Sequence, residues 1–402
     1  MPKPDNNKQL LKALNRSLVL NAIKRFNPIS RADVARMLGL SPATITSLTA
    51  EMIGEGLIFE KAAGNSSGGR PPVLLAINPH GGFAVGLKLT ESEVIAALTD
   101  LEATLIAKAR LPWGGQSVRQ ASEVINNAIE QLIEQAKINR KQILGVGIGL
   151  AGVVNVEAGK LLNSPYLPWK NLDLTAELQK RLRIPVYIDN DVNTLTLAEK
   201  WFGAGQGYKD FIVVTLGRGV GMGIVVNNQL QHGKHGGAGE LGHIVVQENG
   251  ALCSCGKRGC LEAYIGDSGL VKMAQSKYAE AGKPKPDLSI DALTQLAFEG
   301  DSIALEVMKT EASYLGQTLA NLLNILDPAL IVLGGEGLRA GELLLREVKK
   351  MIAAHVINAV GEDFNIISEN WGDDAWARGA ASLVLKEIFE LPINKEEKAP
   401  VR

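Results

Sequence analysis

The chain has 402 residues, more than the roughly 100–200 residues of one typical domain, so two or three domains are expected. It is 46% hydrophobic and 21% charged with a formal net charge of −1, which favours a soluble globular protein over a disordered one. No segment approaches the roughly 18 continuous apolar residues of a membrane helix, and the N-terminus has no apolar signal region. We therefore expect a cytoplasmic protein that makes no membrane contact.

The charge is divided unevenly along the chain. Residues 1–80 contain ten Lys and Arg against five Asp and Glu, a charge of +5, and the remaining residues contain 32 against 38, a charge of −6. A basic segment beside an acidic body is typical of a small nucleic-acid-binding module joined to a larger domain. We place this module in residues 1–78 and the larger domain in residues 79–395.

Two helices and a turn are predicted first. The first helix carries apolar residues at helical spacing, namely Leu18, Val19, Ala22, Ile23 and Phe26. The second begins after the capping residue Ser30 and runs through Met37. Its inward-facing residues would be Ala32, Val34, Ala35 and Leu38. Gly39 makes the turn that follows, because a left-handed conformation suits the end of a helix.

The third helix has the features of a recognition helix. Ser41 caps it with Pro42 at its first position, and its inner face holds Ile45, Leu48 and Met52. Helix, glycine turn and serine-capped helix make a helix-turn-helix, whose last helix enters the major groove of DNA. The residues that would contact DNA are Ser41, Ala43, Thr44, Thr46 and Ser47. Because residues 41–53 contain no Lys or Arg, base recognition would rest on these small side chains.

Two short strands, 57–62 and 73–77, are predicted on either side of the segment GNSSGGRPP, which gives a wing. Arg70 in this segment would add a minor-groove or phosphate contact. The alternative is a plain three-helix bundle followed by a Gly/Ser linker.

From about residue 82, short β-rich runs alternate with helical stretches, which predicts an α/β fold of two lobes. The predicted strands are 83–88, 94–100, 143–150, 185–188, 211–216, 221–226 and 330–333. The predicted helices are 117–135, 193–201 and 302–325. Asn227 and Asn228 would form the turn after the hairpin of residues 211–226.

The strongest chemical signal is a group of four metal-ligating residues, which are His243, Cys253, Cys255 and Cys260. All three cysteines of the chain lie in this group, and their odd number and close spacing argue against disulfides. Three thiolates and one imidazole form a set that Zn²⁺ takes in closed tetrahedral sites. Gly256 and Gly259 allow the chain reversals that such close ligands require. We predict one structural zinc ion per chain; the alternative is three free thiols beside a loop histidine.

Further polar residues lie on Gly-rich loops around this group. Glu240 is in GAGELGH, Glu262 is in CLEAY, and Asn190 and Asp191 follow the predicted strand 185–188. Carboxylate and amide groups near converging strand ends suit a ligand with several hydroxyl groups. Each could instead be a helix cap or a solvated loop charge.

These motifs together resemble the ROK family (repressors, open reading frames and sugar kinases) of the actin-like ATPase superfamily over residues 14–385. GELGH and CSCGKRGCLEAY resemble its zinc signature, IDNDVNTLTLAE its sugar-contact motif and GRPPVLLAIN its join between wing and sugar domain. LDPALIVLGGE and WGDDAWARGAA resemble its C-terminal lobe. The likeness is to the repressors of xylose-repressor and N-acetylglucosamine-repressor type. It implies a winged helix-turn-helix followed by a two-lobed, actin-like (ribonuclease H-like) sugar-binding domain.

The resemblance also implies which residues contact the sugar. They are Gly152, Asn171, Asn190, Asp191, Glu240, His243 and Glu262. His243 would both bind zinc and face the sugar. Asp191 stands at the general-base position of the family's kinases, but it is predicted here only as a sugar contact, and no residue is predicted to be catalytic.

The kinases of this family hold ATP phosphates with a D-I-G-G-T-K turn on the first strand. Here Lys88 replaces the Asp, and Thr90 and Glu91 replace the two glycines. Side chains at these positions block the approach of phosphate to the backbone, and the Glu91 charge repels it. The resemblance therefore implies sugar binding without phosphoryl transfer.

We predict a sugar-responsive DNA-binding transcriptional regulator, a repressor of carbohydrate-utilisation genes, with the sugar bound between two lobes. Its partners would be operator DNA, a monosaccharide effector and further copies of the chain in a homodimer or homotetramer, since one small helix-turn-helix offers limited contact. Two alternatives remain. One is an ATP-dependent sugar kinase with a fused DNA-binding head, and the other is a zinc-dependent scaffold without a ligand.

Overall fold

The computed structural model describes residues 4–61, 73–115, 117–357, 364–369 and 371–389. None of the helices in these ranges is both long and apolar enough to span a membrane. The chain divides into two compact units. The described residues up to Asp191 and from Trp376 onward form the first unit, and those between Val192 and Ala375 form the second.

The N-terminal part of the first unit is a winged helix. Its helices are α1 (Pro4–Arg25), α2 (Arg31–Leu38) and α3 (Pro42–Gly54). Its strands, β1 (Ile29–Ser30), β2 (Ile58–Lys61) and β3 (Leu74–Ile77), form an antiparallel sheet in the order β1-β3-β2. The predicted helices and wing strands are confirmed, and the plain bundle is wrong. The strand β1 was not predicted, because two residues show no alternation.

Local hydrogen bonds explain where these helices begin and end. The hydroxyl of Ser30 accepts a hydrogen bond from the amide of Asp33 at 3.1 Å, and that of Ser41 accepts one from the amide of Thr44 at 3.1 Å. Both serines are therefore N-caps, as predicted. Gly39 ends α2 with a φ of +65°, a left-handed conformation that glycine adopts without strain.

The buried faces of these helices agree with the predictions except at two places. Three predicted inner residues of α3 are buried, namely Ile45, Leu48 and Met52. Phe26 is 44% exposed, because α1 ends at Arg25 and the buried helical face ends with it. In α2, Val34 is buried and Ala32 is exposed, because a helix of 8 residues buries only a narrow stripe.

A five-stranded sheet forms the centre of the first unit. Its strands are β4 (Phe83–Leu89), β5 (Glu93–Thr99), β6 (Leu105–Pro112), β7 (Ile143–Leu150) and β11 (Val186–Asn190), ordered β11-β7-β4-β5-β6. Strands β4, β7 and β11 are parallel to one another, whereas β5 runs antiparallel to both of its neighbours. The helices α4 (Val118–Ala136) and α5 (Leu174–Leu182) pack against this sheet.

Two glycines let a helix approach the same sheet closely. A Cβ atom at Gly86 or Gly147 would lie 1.9 Å from the carbonyl oxygen of Ala377 or Ala380, respectively, in α12 (Asp373–Phe389). Only glycine, which has no Cβ atom, lets α12 lie this close to the strands.

A small antiparallel sheet of β8 (Val153–Asn155), β9 (Lys160–Asn163) and β10 (Lys170–Leu172) follows β7 in the chain. These strands and β6 were not predicted.

The second unit has its own five-stranded sheet, ordered β14-β13-β12-β15-β16. The strands are β12 (Phe211–Leu216), β13 (Val220–Val226), β14 (Gln229–Leu230), β15 (Ile331–Gly334) and β16 (Ile366–Glu369). The helices are α6 (Asp191–Phe202), α7 (Glu262–Ile265), α8 (Asp267–Glu280), α9 (Ile290–Phe298), α10 (Ser302–Leu326) and α11 (Glu342–His355). The turn between β13 and β14 has positive φ at Asn227 and Asn228, as predicted. Every strand and helix predicted for the body is present, which confirms the α/β class.

Hydrogen bonds join the winged helix to the rest of the first unit. The carbonyl of Phe389, the last residue of α12, accepts a hydrogen bond from the hydroxyl of Ser17 at 3.0 Å and another from the side-chain amide of Asn21. The side-chain amide of Asn78 donates to the carbonyl of Gly56 at 2.8 Å, just beyond α3. The domain boundary at residue 78 stays a prediction.

A buried carboxyl group in the second unit should make stability depend on pH. Glu311 in α10 is 2% exposed, and its Oε1 atom has no hydrogen-bond partner among the described residues. Burial raises its pKa from 4.5 to about 8; the charge of Arg339 opposes this shift and that of Asp267 adds to it. Between these pH values the folded protein keeps a proton that the unfolded chain releases. The free energy of unfolding therefore falls as pH rises, by at most about 1.4 kcal/mol per pH unit.

The substitution Glu311→Gln keeps the shape of the side chain and removes the titration. We expect the variant to gain stability relative to the wild type progressively from about pH 5 to about pH 8, since the group loses its proton over this range only in the unfolded chain. Chemical denaturation across this range measures the gain. Glu306→Gln, at an exposed position of the same helix, is the control and should show no such trend. Parallel pH profiles for Glu311→Gln and the wild type would contradict the raised pKa.

Candidate functional site

Four side chains of the second unit form a metal-binding cluster, namely His243, Cys253, Cys255 and Cys260. Their ligand atoms all lie within 4.8 Å of one another. The Sγ atoms of Cys255 and Cys260 are 3.7 Å apart, and Cys253 Sγ is 3.7 Å from His243 Nδ1. A tetrahedral zinc ion with Zn–S bonds of about 2.3 Å would separate two sulfurs by about 3.8 Å. The predicted ligands are thus brought together, and they fit one metal ion.

Tight backbone turns make this cluster possible. Gly256 and Gly259 have φ values of +86° and +80°, which confirms the predicted need for glycine at these positions. The amide of Cys253 donates to the carbonyl of Lys257 at 2.8 Å, which closes the turn that carries two of the ligands. A Cβ at Gly259 would lie 1.8 Å from the carbonyl oxygen of Gln247, so no other residue fits there.

The buried thiol of Cys260 does not ionise easily without a cation. Burial, together with hydrogen bonds to Cys255 and Cys253, raises the pKa of the Cys260 thiol to about 12. A bound metal ion reverses this effect, because it stabilises thiolates directly. The chemistry of the cluster therefore also favours a metal-bound state.

The imidazole of His243 faces two groups. Its Nδ1 atom is the one near Cys253, and its Nε2 atom lies 3.8 Å from Oε2 of Glu240. The amide of His243 also donates to the carbonyl of Glu240 at 3.0 Å, across a short helical turn. Two residues predicted to contact the sugar are thereby held beside the metal cluster.

Glu262, at the start of α7, is fixed by two hydrogen bonds. Its Oε1 atom accepts from the hydroxyl of Ser254 at 2.9 Å, and its Oε2 atom accepts from the amide of Val220 at 3.2 Å. Neither Ser254 nor Val220 was predicted as part of a site. The position of Ser254 between two cysteine ligands was the available signal, but the sequence does not show which side chain it meets.

The predicted sugar contacts of the first unit lie at the end of β11 and around β8. The side-chain amide of Asn190 donates to the carbonyl of Gly152 at 3.1 Å, so these two residues are brought together. Asp191 follows directly as the first residue of α6. Gly152 has a φ of +133°, and a Cβ there would lie 2.2 Å from the carbonyl of Asn163 in β9. Asn171 lies on strand β10, which pairs with β9, and is exposed.

The predicted DNA contacts lie on the outer face of α3. Ser41, Ala43, Thr46 and Ser47 are exposed, and Thr44 is half-buried. Three of these hydroxyl groups already make hydrogen bonds within the first turns of α3. Ser41 Oγ is 2.8 Å from Thr44 Oγ1, and Thr46 Oγ1 donates to the carbonyl of Pro42 at 2.8 Å. Arg70 lies outside the described residues.

Ion pairs neutralise acidic side chains of the winged helix. Four such pairs join Lys12 with Glu51, Arg16 with Glu55, Arg31 with Glu60 and Arg36 with Asp33. The acidic groups at the end of α3 are therefore matched by basic groups of α1. Each of these four acidic side chains is compensated by a basic one, which reduces its repulsion of phosphates.

Comparison with known proteins places these features in a family. The family model described as ROK family matches residues 84–387. The chain belongs to the ROK family. It is 30% identical to the xylose repressor of Bacillus subtilis (strain 168) over 381 residues, which are 95% of this chain and 97% of that protein.

Two solved ROK structures extend the comparison. A ROK family transcriptional regulator, a homologue of the Escherichia coli Mlc protein, matches with a TM-score of 0.85 and 28% identity over 97% of this chain and 100% of its own. A ROK family glucokinase from Streptomyces griseus, in complex with glucose and AMPPNP, matches with a TM-score of 0.64 and 29% identity over 75% of this chain and 99% of its own. About a quarter of this chain therefore has no counterpart in that kinase. The ROK resemblance and the two-lobed fold predicted from the sequence are confirmed.

Removing one ligand should empty the metal cluster. Cys255→Ser replaces a thiolate with a weakly binding hydroxyl, and His243→Ala removes the imidazole, so we expect metal content well below one ion per chain for both. Elemental analysis after purification measures this. His235→Ala, at an exposed histidine outside the cluster, is the control and should keep its metal. Full metal occupancy in Cys255→Ser would remove Cys255 from the ligand set.

Proposed function

We propose that this ROK protein is a DNA-binding transcriptional regulator, a repressor of carbohydrate-utilisation genes whose operator affinity is set by a monosaccharide. The observation that carries the proposal is a capped winged helix attached to a ROK domain. The likeness of almost the whole chain to a protein named xylose repressor supports it.

Two groups of residues are proposed to contact the sugar. Asn190 and Gly152 would contribute an amide and a backbone group at the end of β11, with Asp191 and Asn171 beside them. The second unit would contribute Glu240, His243 and Glu262. Carboxylates accept hydrogen bonds from sugar hydroxyls, and the amide of asparagine both donates and accepts, so the set suits a polyhydroxylated ligand.

The metal is proposed to be zinc, one ion per chain. Four protein ligands leave no open coordination position, so its role would be structural. A cytoplasmic location, where thiols stay reduced, suits the site. With Nδ1 of His243 on the metal, the remaining proton is on Nε2, which would donate to Glu240 or to a sugar hydroxyl.

The turn between β4 and β5 supports sugar binding without phosphoryl transfer. The amide of Thr90 donates to the carbonyl of Glu93 at 3.1 Å, and Thr90 Oγ1 accepts from the amides of Ser92 and Glu93 at 3.3 and 3.1 Å. A phosphate-binding turn must offer its amides to the ligand. Here the amides are bonded within the turn, and Glu91 adds a repelling charge.

Two further features differ from a nucleotide-binding site. Lys88, at the position of the kinase Asp, offers no carboxylate to hold Mg²⁺, and its Nζ atom lies 4.1 Å from the ring centre of Trp376. In the second unit, Oε2 of Glu336 lies 2.8 Å from the place of a Cβ at Gly217, in the glycine-rich turn between β12 and β13. A carboxylate there would repel phosphate, which favours a regulator over a kinase.

Regulation would follow from movement of the lobes. A bound sugar would shift the population of conformations of the ROK domain, and hence the spacing of two recognition helices in a homodimer or homotetramer. The winged helix would follow the first lobe, because α1 is bonded to the end of α12 at Phe389.

A charge on the recognition helix should prevent DNA binding. Ser47→Glu places a carboxylate on the exposed face of α3, where it would repel phosphates, so we expect the affinity for DNA to fall at least about tenfold. Fluorescence anisotropy with duplex DNA from upstream of the protein's own gene measures this. Ala13→Glu, at an exposed position of α1, is the charge-matched control. If Ser47→Glu and the wild type bind DNA with equal affinity, the DNA interface does not include this face of α3.

A sugar screen tests the other half of the proposal. One of xylose, glucose and N-acetylglucosamine should raise the melting temperature, because a ligand stabilises the state that binds it. The substitution Glu240→Gln should weaken the binding of this sugar about tenfold. Glu248→Gln, at an exposed position of the same loop, should leave the binding unchanged.

The same proteins incubated with ATP and Mg²⁺ should release no ADP when the sugar is added. Sustained sugar-dependent ADP release would favour the kinase. A melting temperature unchanged by every sugar would favour the scaffold without a ligand.

A further inference from the structure

Ser254 connects the metal cluster to a carboxylate of the proposed sugar site. Its hydroxyl donates to Glu262 Oε1 at 2.9 Å and lies 3.8 Å from Cys253 Sγ. It stands between the ligands Cys253 and Cys255, so metal binding fixes its backbone on both sides.

A backbone amide donates a second hydrogen bond to the same carboxylate. The amide of Val220, at the start of β13, donates to Glu262 Oε2 at 3.2 Å. A Cβ at the adjacent Gly219 would lie 3.0 Å from this oxygen, so the absence of a side chain there leaves room for it. Each oxygen keeps a second lone pair, and the two donors fix the direction of those lone pairs.

We propose that Ser254 is a positioning residue through which metal binding orients Glu262 for the sugar. The inference rests on the proposed sugar site. Cys253 Sγ lies 4.0 Å from Glu262 Oε1 and can donate to it as a thiol. Metal binding would remove that proton, so without the serine hydroxyl a thiolate and a carboxylate would face each other. The carboxylate would then rotate away, and the sugar would bind only the fraction of molecules with the correct orientation.

The test compares three serine variants, each titrated calorimetrically with xylose, glucose and N-acetylglucosamine. Ser254→Ala should keep one metal ion per chain and the wild-type melting temperature but bind the sugar about five- to tenfold more weakly. Ser254→Thr, which keeps the hydroxyl, should restore most of the affinity. Ser276→Ala is the matched control, because the Ser276 hydroxyl donates to Glu280 at 2.9 Å on α8 and should not affect the sugar.

Chelation of the metal provides a second measurement. If Ser254 carries the effect of the metal, chelation should weaken sugar binding by the wild type more than by Ser254→Ala. Equal affinity of Ser254→Ala and the wild type would overturn the inference, and so would loss of metal from Ser254→Ala, which would make the role purely structural. Failure of the wild type itself to bind any sugar would overturn the proposed function together with this inference.

Discussion

The arrangement around His243 is the constraint on which the metal cluster and the polar residues beside it depend. One ring nitrogen faces Cys253 and the other faces Glu240, so a single side chain belongs to the metal cluster and to the polar group beside it. A metal ion on Nδ1 would set the tautomer of the ring and would also draw the cluster's loop together. In this loop Ile244, Val245 and Leu252 are exposed, so metal binding would add to the limited apolar burial that Leu241 and Leu261 provide at its ends.

The first unit is held together in a different way. Its sheet is covered by apolar helices, and Gly86 and Gly147 let α12 come within backbone contact of the strands. The end of that helix is then capped by Ser17 and Asn21 of the winged helix. Because these hydrogen bonds attach the winged helix to α12, we expect the winged helix and the sheet to move together when a ligand binds.

The comparison with kinases shows how one fold serves two functions. The chain shares its body with a glucokinase and nearly its full length with a regulator. We propose that the difference in activity arises in two turns. The hydroxyl of Thr90 accepts hydrogen bonds from the amides of Ser92 and Glu93, and a carboxylate oxygen of Glu336 lies beside Gly217. On this proposal, local hydrogen bonding and charge adapt a common framework to a different function.

The short-range features of this protein could be predicted from its amino-acid order, whereas the contacts between residues far apart in the chain could be seen only in the folded structure. The caps Ser30 and Ser41, the turn at Gly39 and the spacing of the cysteines each involve residues near one another in the chain, so the order of the residues was enough to predict them. The small strands β8 to β10 escaped prediction, because their pairing depends on partners and not on their own pattern. The bond from Asn190 to Gly152, the two supports of Glu262 and the raised pKa of Glu311 all bring together groups whose separation along the chain gives no sign of their contact. Hydrogen bonds, burial and ion pairs depend on distances in space, and only the folded chain sets those distances.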